Sequence, residues 1–232
     1  YTTDGVGGTA TVDSGDIFAI GYYTVTLVVS DGYGTSANTT DTFTVTVADN
    51  TVPVLTGTSI TGIEATSSSG AVPGDSWVAT TYQANLECST NAPTITYAAD
   101  LGSGSVAVTS ASTFPIGTTT VTATGVDEAI DPANGNAADA NTGTTTFTVT
   151  VQDTTVPSIT CPSAPASVEA TGVVSNVGGA TVTYDSATAT DIGDSSVDIT
   201  YTHASDSHFP TGTTTVTATP TDDAQLTATC SF

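Results

Sequence analysis

The sequence predicts an all-β protein made of tandem β-sandwich domains. Short runs such as residues 43–47 and 119–124 alternate apolar residues with Thr, which is the period of a half-buried strand. Thr and Val are β-branched, which favours strands over helices. Clusters of Gly, Pro, Asn, Asp and Ser separate the runs, and no helical stripe is present. About seven short strands per ~100 residues indicate an immunoglobulin-like (Ig-like) sandwich.

Internal repeats divide the chain into domains. The sequence FPIGTTTVT at residues 114–122 returns as FPTGTTTVT at 209–217, and more weakly at 18–26. The spacing of about 95 residues is far above the 20–50 residues of solenoid repeats, so each copy is a whole domain. The repeats predict a rod of a partial Ig-like domain (1–48), a complete domain (49–151) and a domain truncated in its last strand (152–232).

The truncated repeats leave two explanations open. Aligned on the repeats, the first domain lacks its opening strands, and nothing after Phe232 matches residues 148–151. Either the sequence is a window of a longer repetitive polypeptide, or a neighbouring subunit supplies strands by β-strand addition.

The charge balance excludes several classes of function. The chain has 23 acidic residues, no Lys or Arg, and a formal net charge of −23. Nucleic-acid binding needs Lys or Arg to neutralise phosphates, so no nucleic-acid partner is expected. A phosphate-binding loop, a Schiff-base lysine and an arginine finger are excluded for the same reason. No run approaches the ~18 apolar residues of a membrane helix, so no membrane span is expected either.

Five features of the last domain resemble the hyalin repeat (HYR) domain. They are the run 153–162, the segment 168–171, the segment 189–191, the Phe-Pro-x-Gly-Thr-Thr-x-Val sequence at 209–216, and Cys230. The resemblance covers nearly all of 152–232 and, less fully, 49–151. It implies HYR-type Ig-like modules of extracellular, secreted or cell-surface proteins with adhesive or structural roles, generally without catalysis. We therefore expect no enzymatic activity.

The cysteines are consistent with an oxidising compartment. Cys161 lies in the first strand of the last domain and Cys230 in its last strand, and these strands are neighbours in an Ig-like sandwich. We predict that they form a disulfide, which in the chain-entropy model contributes roughly 4 kcal/mol. The middle domain has Gly57 in place of Cys161 and lacks this bridge. Cys88 is either a buried small side chain or an intermolecular bridge.

Carboxylates are predicted to gather at one end of each domain. In an Ig-like fold, the linker before the first strand and the loops after the second and sixth strands lie at the same end. These places hold Asp49, Asp100, Asp127 and Glu128 in the middle domain, Asp153, Asp191, Asp222 and Asp223 in the last, and Asp4 and Asp31 in the two loops of the first. Glu64, after the first strand of the middle domain, is placed to approach Asp153.

Carboxylates that converge without Lys or Arg repel one another, and a hard cation would relieve this. Ca²⁺ takes 6–8 oxygen ligands from carboxylates and carbonyls, so we predict calcium at the domain junctions. The other interpretation is that each Asp only caps its own turn through backbone N–H groups. Separately, Asn38-Thr39-Thr40 is an N-glycosylation sequon.

Together these features predict an extracellular structural protein whose tandem domains form a stalk or filament subunit. Its partners would be further copies, in a fibre or a longer repeat array. The alternative is an adhesin or a module that binds a cell-surface glycan or protein.

Overall fold

The computed structural model describes residues 2–5, 10–18, 21–30, 32, 39–74, 78–82, 93–127 and 140–232. All regular elements in these ranges are β-strands, which agrees with the predicted all-β class. The strands form six sheets, and each sheet pairs strands from only one of the three predicted segments.

The first segment forms one antiparallel sheet of four strands. The strands are β1 (Thr2–Gly5), β2 (Ala10–Thr11), β3 (Gly21–Val29) and β4 (Thr39–Val47), in the order β2-β1-β3-β4. Tyr23 and Val25 of β3 are buried, whereas Phe43 of β4 is 52% exposed. This sheet therefore buries its apolar residues incompletely.

The middle segment contains a five-stranded sheet and a two-stranded ribbon. Its strands are β5 (Val54–Thr56), β6 (Ile60–Glu64), β7 (Thr80–Tyr82), β8 (Thr94–Asp100), β9 (Ser105–Ala107), β10 (Gly117–Val126) and β11 (Thr142–Gln152). The sheet order is β6-β11-β10-β8-β9, and β5 pairs with β7. All pairs are antiparallel except β6 with β11.

The core of the middle segment follows from the period-2 pattern. Along β10, alternate residues point inward, and Val121 and Ala123 are fully buried. Val149 and Val151 of β11 are buried beside them. The segment that contains β5 covers this face of the sheet. Leu55 packs beside Gly125, and a Cβ added at Gly57 would overlap the ring of Phe147. The Phe147 ring therefore uses the space next to the position where the last segment has Cys161.

The last segment distributes its strands over three small sheets. Its strands are β12 (Ser158–Thr160), β13 (Gly172–Val174), β14 (Val177–Val182), β15 (Thr188–Thr190), β16 (Asp198–Tyr201), β17 (Ser207–Pro210), β18 (Thr217–Thr221) and β19 (Cys230–Ser231). The sheets are β12-β15, β13-β14-β17 and β16-β18-β19. Tyr184, Phe209 and Val216 form the core, with Tyr201 and Phe232 against it.

The predicted disulfide is present. Cys161, directly after β12, and Cys230 of β19 are bonded through their sulfur atoms, with their Cα atoms 5.8 Å apart. The bond links two of the three sheets of the last segment and closes a loop with a sequence separation of 69 residues.

The two copies of the Phe-Pro-x-Gly-Thr-Thr-Thr-Val-Thr segment differ in structure. In the middle segment its second half belongs to β10, where residues 117–120 pair with 148–151. In the last segment, residues 211–216 lie outside any strand. The physical reason is pairing: residues 117–120 pair with β11, whereas no strand of the described residues pairs with 211–216.

Candidate metal centre

Three aspartates of the last segment lie together. Asp153 follows the end of β11, Asp191 follows β15 and Asp222 follows β18. Each residue offers a carboxylate oxygen, and these oxygens lie within 4.8 Å of one another. The convergence predicted from the strand order is thus seen in the geometry of these three residues.

Each aspartate uses one oxygen to cap its own turn. Asp153 Oδ1 accepts a hydrogen bond from Thr155 N at 3.1 Å, and Asp191 Oδ1 accepts one from Gly193 N at 2.7 Å. Asp222 Oδ1 accepts one from Leu226 N at 2.7 Å. The turn-capping interpretation is therefore correct for one oxygen of each residue, and it leaves the second oxygen available.

Two of the second oxygens are buried without a hydrogen bond. Asp222 is only 2% exposed, and no group in the described part of the chain hydrogen-bonds to its Oδ2. The same holds for Asp191 Oδ2. A buried charged oxygen without a partner costs free energy, so its presence in a folded protein indicates a missing partner.

The electrostatics of the cluster favour a positive partner. Burial raises the pKa of Asp153 above its ordinary value, and the nearby charges of Asp191, Asp222 and Glu64 raise it further. The chain contains no Lys or Arg to neutralise these groups. A bound cation, or a proton on one of the carboxyl groups, would balance them.

The dimensions are compatible with a calcium ion. Calcium binds oxygens at 2.3–2.6 Å, so two oxygens on one ion are at most roughly 5 Å apart. The oxygens of Asp153, Asp191 and Asp222 meet this condition, being within 4.8 Å of one another. These three residues would supply three hard oxygen ligands, and a cation here would replace the repulsion by attraction.

Glu64 lies beside the cluster, at the end of β6. Its carboxylate accepts hydrogen bonds from Thr154 N and Thr154 Oγ1, both at 2.8 Å, and from Thr155 Oγ1 at 3.1 Å. The bond from the Thr154 backbone is the main reason that the pKa of Glu64 lies below its usual value. The middle segment therefore contacts the two residues that follow Asp153, and the predicted approach of Glu64 to Asp153 is present.

Among the described residues, Asp49, Asp100 and Asp127 of the middle segment do not form such a cluster. In the described ranges, one group of three or more Asp, Glu, His or Cys side chains lies close enough to share a metal. It consists of Asp153, Asp191 and Asp222. Asp49 Oδ1 caps Thr51 N at 2.9 Å, and Asp100 Oδ1 caps Gly102 N at 2.8 Å and Gly104 N at 2.9 Å.

The second carboxylate oxygen of Asp127 accepts a hydrogen bond, whereas that of Asp222 has no partner in the described residues. Asp127 is 5% exposed, and its Oδ1 accepts a hydrogen bond from Asn141 N at 2.8 Å. The side-chain amide of Asn141 donates to Asp127 Oδ2 at 3.2 Å and to the Asp49 carbonyl at 3.1 Å. Asn141 was not among the residues predicted from the sequence, although aligning residues 145–147 with 230–232 places it opposite Leu226.

Several predicted residues lie outside the described part of the chain. These are Asp31, Glu128, the glycosylation candidate Asn38, and Cys88. The prediction that Asp4 lies in a loop is wrong, because its backbone belongs to β1; its side chain is outside the described part. Their assignments stay predictions.

Comparison with known proteins agrees with the all-β fold. The HYR domain family model matches residues 152–232, so this part of the chain belongs to the HYR family of Ig-like domains. Over 217 residues, or 90% of this chain, the sequence is 33% identical to a protein named Hyalin from Strongylocentrotus purpuratus. The chain spans 16% of the length of that relative. The resemblance inferred from the sequence is confirmed.

The described residues contain no helix with the length and hydropathy needed to span a membrane.

Proposed function

We propose that this chain is a segment of an extracellular structural or adhesive protein, in which tandem Ig-like domains form a stalk or filament subunit. The HYR match, the similarity to Hyalin and the Cys161–Cys230 disulfide support an extracellular role. In this proposal the chain has no catalytic activity. It acts by holding domains in line, and it assembles with further copies of such domains.

Calcium at Asp153, Asp191 and Asp222 is part of the same proposal. The observation that carries it is the fully buried Asp222 carboxylate, whose Oδ2 has no hydrogen-bond partner in the described residues. The site lies where the middle and last domains join, and Glu64 of the middle domain holds Thr154 and Thr155 beside it. A cation bound there would fix the linker and make the junction stiff.

Thermal unfolding with calcium and with excess chelator tests the cation. A ligand that binds only the folded state stabilises it, by about 2.7 kcal/mol at a concentration of one hundred times Kd. We expect the Tm of the last domain to rise with calcium, and Asp222→Asn to remove most of that rise. Asp198→Asn, which changes an exposed strand residue outside the cluster, is the matched control. Equal melting curves in calcium and chelator would overturn the calcium part.

Electron microscopy tests the structural role. Extended particles or regular filaments in calcium, which shorten or disperse in chelator, are the expected result. Dispersed chains that instead bind a glycan array would support a recognition module in place of a structural one.

A further inference from the structure

Asp127 and Asp222 each exchange the same pair of hydrogen bonds with a residue further along the chain. Asp127 N donates to the Asn141 carbonyl at 3.2 Å, and Asp222 N donates to the Leu226 carbonyl at 3.2 Å. In return, Asn141 N donates to Asp127 Oδ1 at 2.8 Å and Leu226 N to Asp222 Oδ1 at 2.7 Å. Asn141 and Leu226 therefore occupy equivalent positions, although the loops before them differ in length.

The side chain at this position decides what the second carboxylate oxygen meets. In the middle domain the Asn141 amide bonds both Asp127 Oδ2 and the Asp49 carbonyl. Both partners are acceptors, so the group that points at them must be the NH₂. The Leu226 side chain has no donor, and Asp222 Oδ2 has no hydrogen-bond partner in the described residues.

We infer that the Asn141 side-chain amide does in the middle domain what a divalent cation from solution does in the last domain. The amide binds the second carboxylate oxygen of Asp127, and the cation would bind that of Asp222. The inference rests on the calcium proposal for Asp153, Asp191 and Asp222. It assigns the difference between the two junctions to one side chain. A domain with Asn at this position has a metal-independent junction, and a domain with Leu has a metal-dependent one.

The amide and the cation perform the same structural task. Asn141 connects the loop after β10 to the linker before β5, because it bonds Asp127 and Asp49 simultaneously. A cation between Asp222 and Asp153 would connect the corresponding loop and linker of the last domain. The amide is neutral and gives two fixed hydrogen bonds, whereas the cation also balances three carboxylates.

Leu226→Asn tests the inference, with Leu226→Ala as the control that loses the same packing without gaining an amide. In excess chelator we expect Leu226→Asn to melt at a higher temperature than Leu226→Ala. The reason is that a hydrogen bond to a buried carboxylate shifts the folding equilibrium by about tenfold or more. By isothermal titration with calcium chloride, Leu226→Asn should bind calcium about tenfold more weakly than Leu226→Ala.

The reciprocal change is Asn141→Leu, which removes the amide from the middle domain. It should lower the Tm of the middle domain, because the Asp127 carboxylate and the Asp49 carbonyl lose the amide that joins them. Asn141→Ala also lacks the amide and gives the same measurement if leucine prevents folding.

The outcomes separate this inference from the calcium proposal. If the wild type binds no calcium, that proposal fails, while a stabilised Leu226→Asn in chelator still supports the amide as the missing partner. If the wild type binds calcium but Leu226→Asn is no more stable than Leu226→Ala in chelator, or binds calcium equally well, the inference is overturned and the calcium proposal stands.

Discussion

At the scale of single residues, Gly193 determines how closely the carboxylates approach. Gly193 is buried and its backbone N–H caps Asp191. A Cβ added to it would overlap the carboxylate of Asp153. The absence of a side chain at this position therefore allows Asp153 to lie against the turn that follows Asp191.

We predict that Gly193→Ala weakens calcium binding about 10–100-fold, the range seen when residues that orient metal ligands are changed. The added methyl group must displace Asp153 from the cluster. Isothermal titration measures the change. Gly172→Ala is the matched control, since a Cβ at Gly172 would have no atom within 4 Å. Equal affinities for the two variants would contradict this role of Gly193.

Asp100 gives a prediction about pH. The backbone N–H groups of Gly102 and Gly104 bond its carboxylate and hold its pKa below the ordinary value of 3.8. A lowered folded-state pKa contributes stability above the unfolded pKa, and this stability is lost as the pH falls through the folded pKa. In chelator, wild type should melt above Asp100→Asn at about pH 6, and the difference should shrink towards about pH 2.5. A constant difference in Tm would contradict the assignment.

The sequence could predict the three converging aspartates but could not predict their unequal partners. Asp153, Asp191 and Asp222 follow strand ends, and strand order alone places these ends together. The partner of each second oxygen depends on one side chain across the loop, Asn141 in one domain and Leu226 in the other. Asn141 lies 14 residues after Asp127, so local sequence gives no sign that they meet.

At the scale of elements, pairing decides whether the same sequence becomes a strand. Residues 117–120 of β10 pair with 148–151 of β11, and Val149 and Val151 are buried by that pairing at 0% and 1% exposure. Residues 212–215 have the same Gly-Thr-Thr-Thr sequence without this partner, and they are irregular. A groove of about 460 Å³, lined by 164–168, Phe209 and 212–214 among others, lies beside them.

Appending Thr-Val-Thr-Val-Gln after Phe232, by analogy with 148–152, should turn residues 212–215 into a strand. Each buried Val contributes roughly 1.5–3 kcal/mol, so the Tm of the last domain should rise by several degrees. Hydrogen exchange should show new protection of the amides of 213–215. Thr-Ser-Thr-Ser-Gln is the control, because it offers the same backbone without the apolar side chains. Equal protection with both extensions would argue against burial as the cause.

The alternation of Thr with apolar residues was enough to predict that 43–47 and 119–124 are strands, in β4 and β10, and that alternate residues of β10 are buried. It could not predict the division of the last domain into three small sheets. Pairing between distant segments sets that division. Gly57 shows the same limit: its sequence position marks the missing cysteine, but only the structure shows the Phe147 ring in that space.

At the scale of the whole molecule, hydrogen bonds connect the middle and last segments. Salt bridges with Lys or Arg are excluded there, because the chain contains neither residue. Glu64 is central to these contacts. It accepts three hydrogen bonds from Thr154 and Thr155, and its negative charge adds to the repulsion at Asp153. The sequence predicted that Glu64 approaches the next domain. It could not predict that Glu64 holds the linker through threonines.

Glu64→Ala should therefore loosen the junction without unfolding either domain. Loss of the three hydrogen bonds frees the Thr154 N–H and the hydroxyl groups of Thr154 and Thr155, so ¹⁵N relaxation should show larger fast motions at these two residues. Glu169→Ala is the matched control, because Glu169 is the equivalent residue of the last domain and is exposed. With calcium bound to Asp153, the linker keeps a second attachment, so the extra motion should be larger in chelator than in calcium. Equal motion of Thr154 and Thr155 in both variants would show that Glu64 does not fix the linker, and the stiffness of the stalk would then depend on the cation alone.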